Sequence, residues 1–256
     1  MEASASSGPV SDTRSCPVCA SARTGFFVEK NCHRFLVCAD CDLVFIHPVP
    51  ALEILMALYA GRGAPTDGVR YPFNKEDLRR QRGMIRAFRL KKYFQDKDII
   101  DIGCAGGHMP DAALRMGART AVGIDIDPEA IDFAEKTHQT GAKFFCEPIN
   151  DFARRGMMFD FGHSSHVIEH VGDFNEFMAG CAKVIKPGGY FFLKTPDRRH
   201  WMTAKAHSAW PNPPQHTQYF GRKSIRLLLE KHGFTVEKFF FTLNPTIEVM
   251  TRRNLT

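Results

Sequence analysis

Asp101-Ile102-Gly103-Cys104-Ala105-Gly106-Gly107 is the stretch on which the reading of this chain turns. An apolar strand, Ile99-Ile100, runs into a glycine-rich turn, and a helical run follows from Met109. Glycines let a backbone curl tightly and approach a ligand with no Cβ in the way. The helix that follows turns its free N–H groups toward the same spot. Further on, a second apolar run, Ala121-Val122-Gly123-Ile124, ends on Asp125. An acid at that position is placed to grip the two hydroxyls of a ribose. Together the turn and the acid predict a nucleotide-binding site.

Outward from the turn, strand and helix alternate. Strands are expected over 99–103, 121–125, 142–146, 159–166 and 190–195, with helices over 109–116, 128–137 and 174–185. Alternation of this kind argues for a parallel sheet covered on both faces. A helix over 223–232 and strands over 235–242 and near 247–250 bring the strands to seven, the last antiparallel. The expected fold is therefore α/β: a doubly wound, seven-stranded, mostly parallel, Rossmann-like sheet.

Upstream lies a different chemistry. Cys16-Pro17-Val18-Cys19 and Cys38-Ala39-Asp40-Cys41 are two C-x-x-C pairs, spaced so that two knuckles can close over one tetrahedral Zn2+. A pair of redox dithiols is the competing reading, but no strand and helix frame either pair. Four protein ligands make a closed, structural site, since catalysis needs an open coordination position. A module this small draws from the metal what its core cannot supply. Cys32, in a turn-like setting between the pairs, suggests a hairpin, and Cys104, Cys146 and Cys181 fall in apolar contexts that suit buried thiols. The domain reading is a disordered N-terminus over 1–15, a zinc ribbon over 16–50, a helical linker or lid over 51–96, and the main domain over 97–256.

Within the linker, 52–59 reads as a short helix and 73–94 as a longer one. In the longer helix Leu78, Ile85 and Phe88 lie along one stripe and Arg79, Arg82, Arg86 and Arg89 along another. The basic stripe reads first as a solvated face, and second as a contact for a phosphate-bearing acceptor or RNA. The chain has 256 residues, 44% of them hydrophobic, with a formal net charge of +6. That composition supports a sizeable core, and the charge permits an anionic partner without requiring nucleic acid. No apolar run approaches the roughly 20 residues of a membrane span. The first residues, Met1-Glu2-Ala3-Ser4-Ala5-Ser6-Ser7-Gly8, lack the charged start and apolar stretch of a signal peptide. A cytoplasmic protein is expected.

Several motifs now stand in order: 101–107, Gly123-Ile124-Asp125, Phe159-Asp160, Val167-Ile168-Glu169-His170-Val171 and Lys186-Pro187-Gly188-Gly189. Taken together they resemble a class I S-adenosylmethionine-dependent methyltransferase of the branch that carries an N-terminal zinc ribbon. The resemblance implies that Asp101, Gly103, Ala105 and Gly107 line the methionine end of the cofactor, with Ala105 standing where the family usually has a glycine. It further implies that Asp125 binds the ribose and that Ile126 lies beside the adenine. Glu147 is nearest in register for the adenine-contacting acid, with Asn150 and Asp151 as rivals, and His166 lies where the fourth strand opens onto the cofactor. A dinucleotide-binding dehydrogenase is opposed by the lack of a G-x-G-x-x-G turn.

The activity so implied is transfer of a methyl group to a small-molecule or carrier-linked acceptor, anionic or sugar-like, such as a sugar or secondary metabolite. In an in-line displacement most of the acceleration comes from holding the acceptor atom about 3 Å from the methyl carbon. Where the acceptor must lose a proton, the base candidates are His166, Glu169 and His170, and Asp197, His200 and His216 farther on. In similar sequences a histidine placed like His216 faces the cofactor, which puts His216 first. The segment 196–220 reads as an acceptor lid holding both tryptophans, Trp201 and Trp210. The alternative is an RNA-binding protein or RNA methyltransferase that uses the ribbon and the basic helix.

Overall fold

Asn31 and Cys32 both take positive φ (49° and 59°), the requirement of a tight two-residue hairpin turn. They join β1 (Thr24–Lys30) to β2 (His33–Cys38), which pair antiparallel, and β3 (Val44–Ile46) pairs with β2. The computed structural model describes residues 14–51, 54–55, 75–200 and 213–255. The expected lid tryptophans, most of the 52–59 helix and all but the last residues of the expected N-terminal tail lie outside them. A fourth strand, β9 (Gln218–Tyr219), completes the small sheet through Val44 and Phe45. The cysteine module and the end of the expected 196–220 lid are thus knitted into one sheet.

The module also shares a core with the rest. Cys16, Cys38 and Cys41 belong to the same buried cluster as Phe174, Phe177 and Phe220. The Asn175 side-chain amide donates to the Pro17 carbonyl at 3.2 Å, and Asp42 pairs with both Arg198 and Arg199.

Of the main sheet, β4 (Asp98–Ile102) is buried beyond its first residue, as a strand covered on both faces must be. Around it lie β5 (Thr120–Asp125), β6 (Lys143–Cys146), β7 (Phe159–Ser165), β8 (Ile185–Pro196), β10 (Phe234–Phe239) and β11 (Thr246–Arg253), in the order β10-β11-β8-β7-β4-β5-β6. Pairings among β4 to β8 are parallel, and β11 enters antiparallel between β8 and β10. This is the expected seven-stranded sheet. The turn expected at 186–189 lies inside β8, where the register against β7 shifts between Phe159 and Phe161.

The helices are α1 (Glu76–Phe94), α2 (His108–Arg115), α3 (Pro128–Thr137), α4 (Ile149–Phe152), α5 (Phe174–Val184) and α6 (Arg222–Lys231). Asp127 and Asp173 cap α3 and α5 by accepting two backbone N–H groups each. One sequence expectation inverts in α1. Leu78, Ile85 and Phe88 are exposed, the last two at 55% and 73%, while Gly83, Ala87, Leu90 and Phe94 are buried. The reason is a close crossing of α2: a Cβ on Gly83 would stand 2.9 Å from the His108 carbonyl oxygen. Only small residues fit at that crossing, and Leu90 and Phe94 bury the C-terminal half of the same face.

Candidate functional site

The glycine turn leaves β4 and folds over the end of β5. Gly103 and Cys104 donate to the Ile124 carbonyl at 2.8 and 2.9 Å. Left-handed φ values of 78°, 46° and 76° at Gly103, Ala105 and Gly107 make the curl. At Gly103 a side chain would run into Val167, which explains why none is present. The Ala105 N–H donates to Asp125 Oδ2 at 2.8 Å and the Asp127 N–H to Oδ1 at 3.1 Å. A carboxylate offers about four acceptor positions, so an acid pinned in this way by the backbone retains the capacity to accept from a diol.

Below the turn sits a buried pair. Asp101 and His163 face each other in the β4–β7 register, and His163 Nδ1 lies 2.6 Å from Asp101 Oδ1. The His163 ring stacks on Phe192, with centroids 5.4 Å apart and planes within 3°. Burial pushes its pKa below the ordinary 6.5 against the pull of Asp101, so the ring is neutral. A carboxylate only accepts, which places the proton on Nδ1 and the lone pair on Nε2. That Nε2 is buried and has no hydrogen-bond partner among the described residues.

These groups border one cavity of about 1090 Å³ at the C-terminal ends of the parallel strands, where ligands sit in doubly wound folds. Asp101, Gly103, Ala105, Asp125 and Ile126 line it, as do Glu147, Asn150 and Asp151. Glu147 is paired with Arg155 at 2.7 Å. Gly107 stands off the wall and heads α2, where a Cβ would meet Phe144 at 2.7 Å and Ala134 at 2.8 Å.

Cations border the same cavity. Arg79, Arg82, Arg86 and Arg89 of α1 all border the cavity, so the basic stripe that reads first as a solvated face turns toward it. Beside it the buried Glu248 takes Lys194 and Arg89, each at 3.0 Å.

The three candidate histidines also come together. His166, at φ 58°, borders the cavity and points Nδ1 at Glu169 Oε1, 3.0 Å away. Glu169 is 1% exposed, and its Oε2 accepts from the Thr195 hydroxyl at 3.0 Å. Burial pushes Glu169 up, but the hydrogen bond and charge of His166 outweigh it and hold the carboxyl below its ordinary value. His170 borders the cavity and packs edge-on against His216 at 4.6 Å, and His216 stands behind it against Tyr219. Burial, then the charge of His170, pushes His216 down to about 4.

In the ribbon, Cys16 and Cys41 Sγ lie 3.4 Å apart, Cys19 and Cys38 Sγ 3.6 Å, and all four within 4.8 Å of one another. Zinc–sulphur bonds of about 2.3 Å set a tetrahedral edge of roughly 3.8 Å, so the donor set fits that ion. Cys32 is exposed at the hairpin tip. Cys104 and Cys181 are buried, but Cys146 is exposed, contrary to the expected buried thiol, because it ends the edge strand β6.

Sequence reasoning missed His163, Lys194 and Glu248. The one signal for His163 was a polar residue in an apolar strand, and its partnership with Asp101 depends on a parallel register that no local pattern states.

A glycine turn, a pinned acid beyond the second strand and a seven-stranded sheet with one antiparallel insertion define the fold of S-adenosylmethionine-dependent methyltransferases. The chain belongs to the methyltransferase-domain family, whose model matches residues 75–238. It is 35% identical over 117 residues to the ubiquinone biosynthesis O-methyltransferase of Rhizobium etli, a match covering 44% of this chain and 47% of that protein. The chain thus spans about half the length of the curated relatives it matches. Among solved structures it resembles magnesium protoporphyrin IX methyltransferase from Synechocystis PCC 6803 with bound SAH. There the TM-score is 0.57 at 16% identity, covering 79% of this chain and 94% of that one. The [4+2]-cyclase SpnF shares the fold at a TM-score of 0.58 and 11% identity, over 69% of this chain and 82% of that one. Among the described residues no helix is long and apolar enough to cross a membrane.

Proposed function

We propose that this chain is a cytoplasmic enzyme that transfers a methyl group from S-adenosylmethionine to a hydroxyl of a small anionic acceptor. One observation carries the reading: a single cavity gathers Asp101 and Asp125 together with Arg82, Arg86 and Arg89. The acids suit a cofactor with an ammonium group and a ribose diol, the arginines an acceptor bearing phosphate or carboxylate. Oxygen as the acceptor atom is supported by the O-methyltransferase name of the Rhizobium etli relative. No observation favours RNA, since the arginine stripe faces the cavity.

The residues present fit the cofactor. Asp101 and the orphaned lone pair of His163 match a cation, Asp125 matches the diol, and Ile126 and Glu147 would flank the base. When bound, S-adenosylmethionine supplies a methyl carbon activated by the adjoining sulfonium charge. The guanidinium groups of Arg82 and Arg86 hold the acceptor's anionic end, which turns an encounter into a fixed approach. His166 is the base best placed for a hydroxyl. Its Nδ1–H donates to the ionised Glu169, leaving the Nε2 lone pair to take the proton. A hydroxyl relieved of its proton by His166 would be the nucleophile toward that carbon, with the sulphur as its leaving group. His216, with a pKa of about 4, is too weak a base for this task at neutral pH. In the ribbon the four cysteines would hold a structural zinc.

The test is a screen of hydroxylated compounds with labelled cofactor, in matched sets that do and do not carry a phosphate or carboxylate, with mass spectrometry to locate the methyl group. Transfer to the anionic members alone is expected. Transfer to neutral members only, or to RNA only, would overturn the reading.

A further inference from the structure

We propose that Glu169, His170 and His216 form a binding site for a divalent cation at the acceptor end of the cavity. The three side chains come from two segments, one following β7 and one preceding β9, and their donor atoms all lie within 4.8 Å of one another. An ion with bonds of about 2.1 Å draws its ligand atoms to within roughly 4.2 Å, so small side-chain rotations close the set.

The surroundings are those of a ligand set. His170 Nδ1 donates to the Gln215 carbonyl at 2.8 Å, which puts the proton on Nδ1 and the lone pair on Nε2. A carbonyl on the distal nitrogen is the usual means of orienting a metal-bound histidine. Gln215 immediately precedes His216, so the segment that brings one ligand also orients the other. Glu169 is steadied on both oxygens, by His166 and Thr195, each at 3.0 Å. The two segments are locked together by the Thr217 N–H to the Glu169 carbonyl at 2.9 Å and the Thr217 hydroxyl to the Val171 carbonyl at 2.9 Å. Glu169 and His170 therefore cannot drift from His216 without breaking backbone bonds.

Two imidazoles and one carboxylate suit Zn2+, Mn2+ or Fe2+. Three protein ligands leave positions open, and His170 stands on the cavity wall, so those positions face the acceptor. A cation there would lower the pKa of an acceptor hydroxyl, easing the proton loss assigned to His166. That role rests on the methyltransferase reading, whereas the cation site itself does not.

The experiment titrates cobalt(II) into the metal-stripped full-length chain and follows its absorption, because sulphur ligands give intense near-ultraviolet charge transfer and nitrogen and oxygen ligands do not. Two equivalents are expected in the wild type, one of each spectral kind. His170→Ala and His216→Ala should keep the sulphur-type equivalent and weaken the other by more than the roughly 100-fold that loss of an orienting partner alone produces. Cys38→Ser should do the reverse. Far-ultraviolet circular dichroism and calorimetric binding of S-adenosylmethionine on the same samples separate loss of fold from loss of site. A single, sulphur-type equivalent in a folded wild type that binds the cofactor would overturn the cation site and leave the function standing. A second equivalent that persists in both histidine variants would also overturn it. Absence of cofactor binding would count against the function and leave the metal count to decide the site.

Discussion

The two ends of the cavity are built in opposite ways. At one end, seven consecutive residues curl over the tip of β5, and backbone N–H groups of Ala105 and Asp127 hold Asp125 in place. At the other, side chains are gathered from the segment after β7, the residue pair before β9 and the start of β11, with α1 reaching from His108 beside the turn to Glu248. The first end is made by backbone geometry and tolerates little change. The second is made by side chains on an unrelated set of elements, so its chemistry can change without disturbing the turn. Within one fold, the donor end is therefore common and the acceptor end individual.

The sharpest way to break that comparison is a pair of substitutions. Asp125→Ala removes a charged acceptor of two hydroxyl hydrogen bonds, each worth about 1.5–3 kcal/mol. The calorimetric Kd for S-adenosylmethionine should rise by about 100-fold or more, while the fold survives. Arg82→Ala should leave that Kd within about twofold and raise the KM for an anionic acceptor by about tenfold. If Arg82→Ala weakened the cofactor as much as Asp125→Ala does, the two ends would not be separate functional units.

The same contrast governs what could be read from the chain. That Asp101, Gly103, Ala105 and Asp125 gather at one turn was legible because their arrangement follows from local spacing, and the alternation of strand and helix set the sheet around them. His163 was not, since its meeting with Asp101 is a fact of register. The arginine stripe was visible as a stripe, but periodicity marks a face without saying what it faces, and the packed side of α1 joins Gly83 and Ala87 to Leu90 and Phe94, leaving Leu78, Ile85 and Phe88 exposed. Likewise β9, two residues long, gave no strand pattern, and yet it extends the ribbon's sheet and so helps tie it to the main chain.

Acid should act on both ends, since His216 at the acceptor end is also pushed down to about 4. At the turn end, His108 is pushed down to about 4, by burial first and then by the charge of His138, and neither ring nitrogen has a hydrogen-bond partner among the described residues. In the unfolded chain its pKa returns to about 6.5. Below that value the unfolded state takes up the proton first, so the stabilisation present above pH 6.5 is lost progressively as pH falls toward 4. The thermal midpoint should drop across that window, and His108→Gln should flatten the drop. An unchanged slope in the variant would mean that the acid response originates elsewhere.

The smallest effect concerns the one residue of the turn that departs from glycine. Ala105 sits at φ 46°, where an L-residue pays about 1–2 kcal/mol relative to the right-handed region. Ala105→Gly relieves that strain but lengthens the list of conformations open to the unfolded chain, a loss of roughly 0.5–1 kcal/mol. The net gain should be about 0.5–1 kcal/mol by denaturant unfolding, with the Asp125 hydrogen bond intact and cofactor affinity altered by less than about threefold. The sign of the result discriminates. A more stable variant means that the turn conformation is imposed by its hydrogen bonds and glycines, with Ala105 carried along against its preference. A less stable one means that the Ala105 methyl group makes contacts worth more than the strain, and that the donor end too is held partly by a side chain.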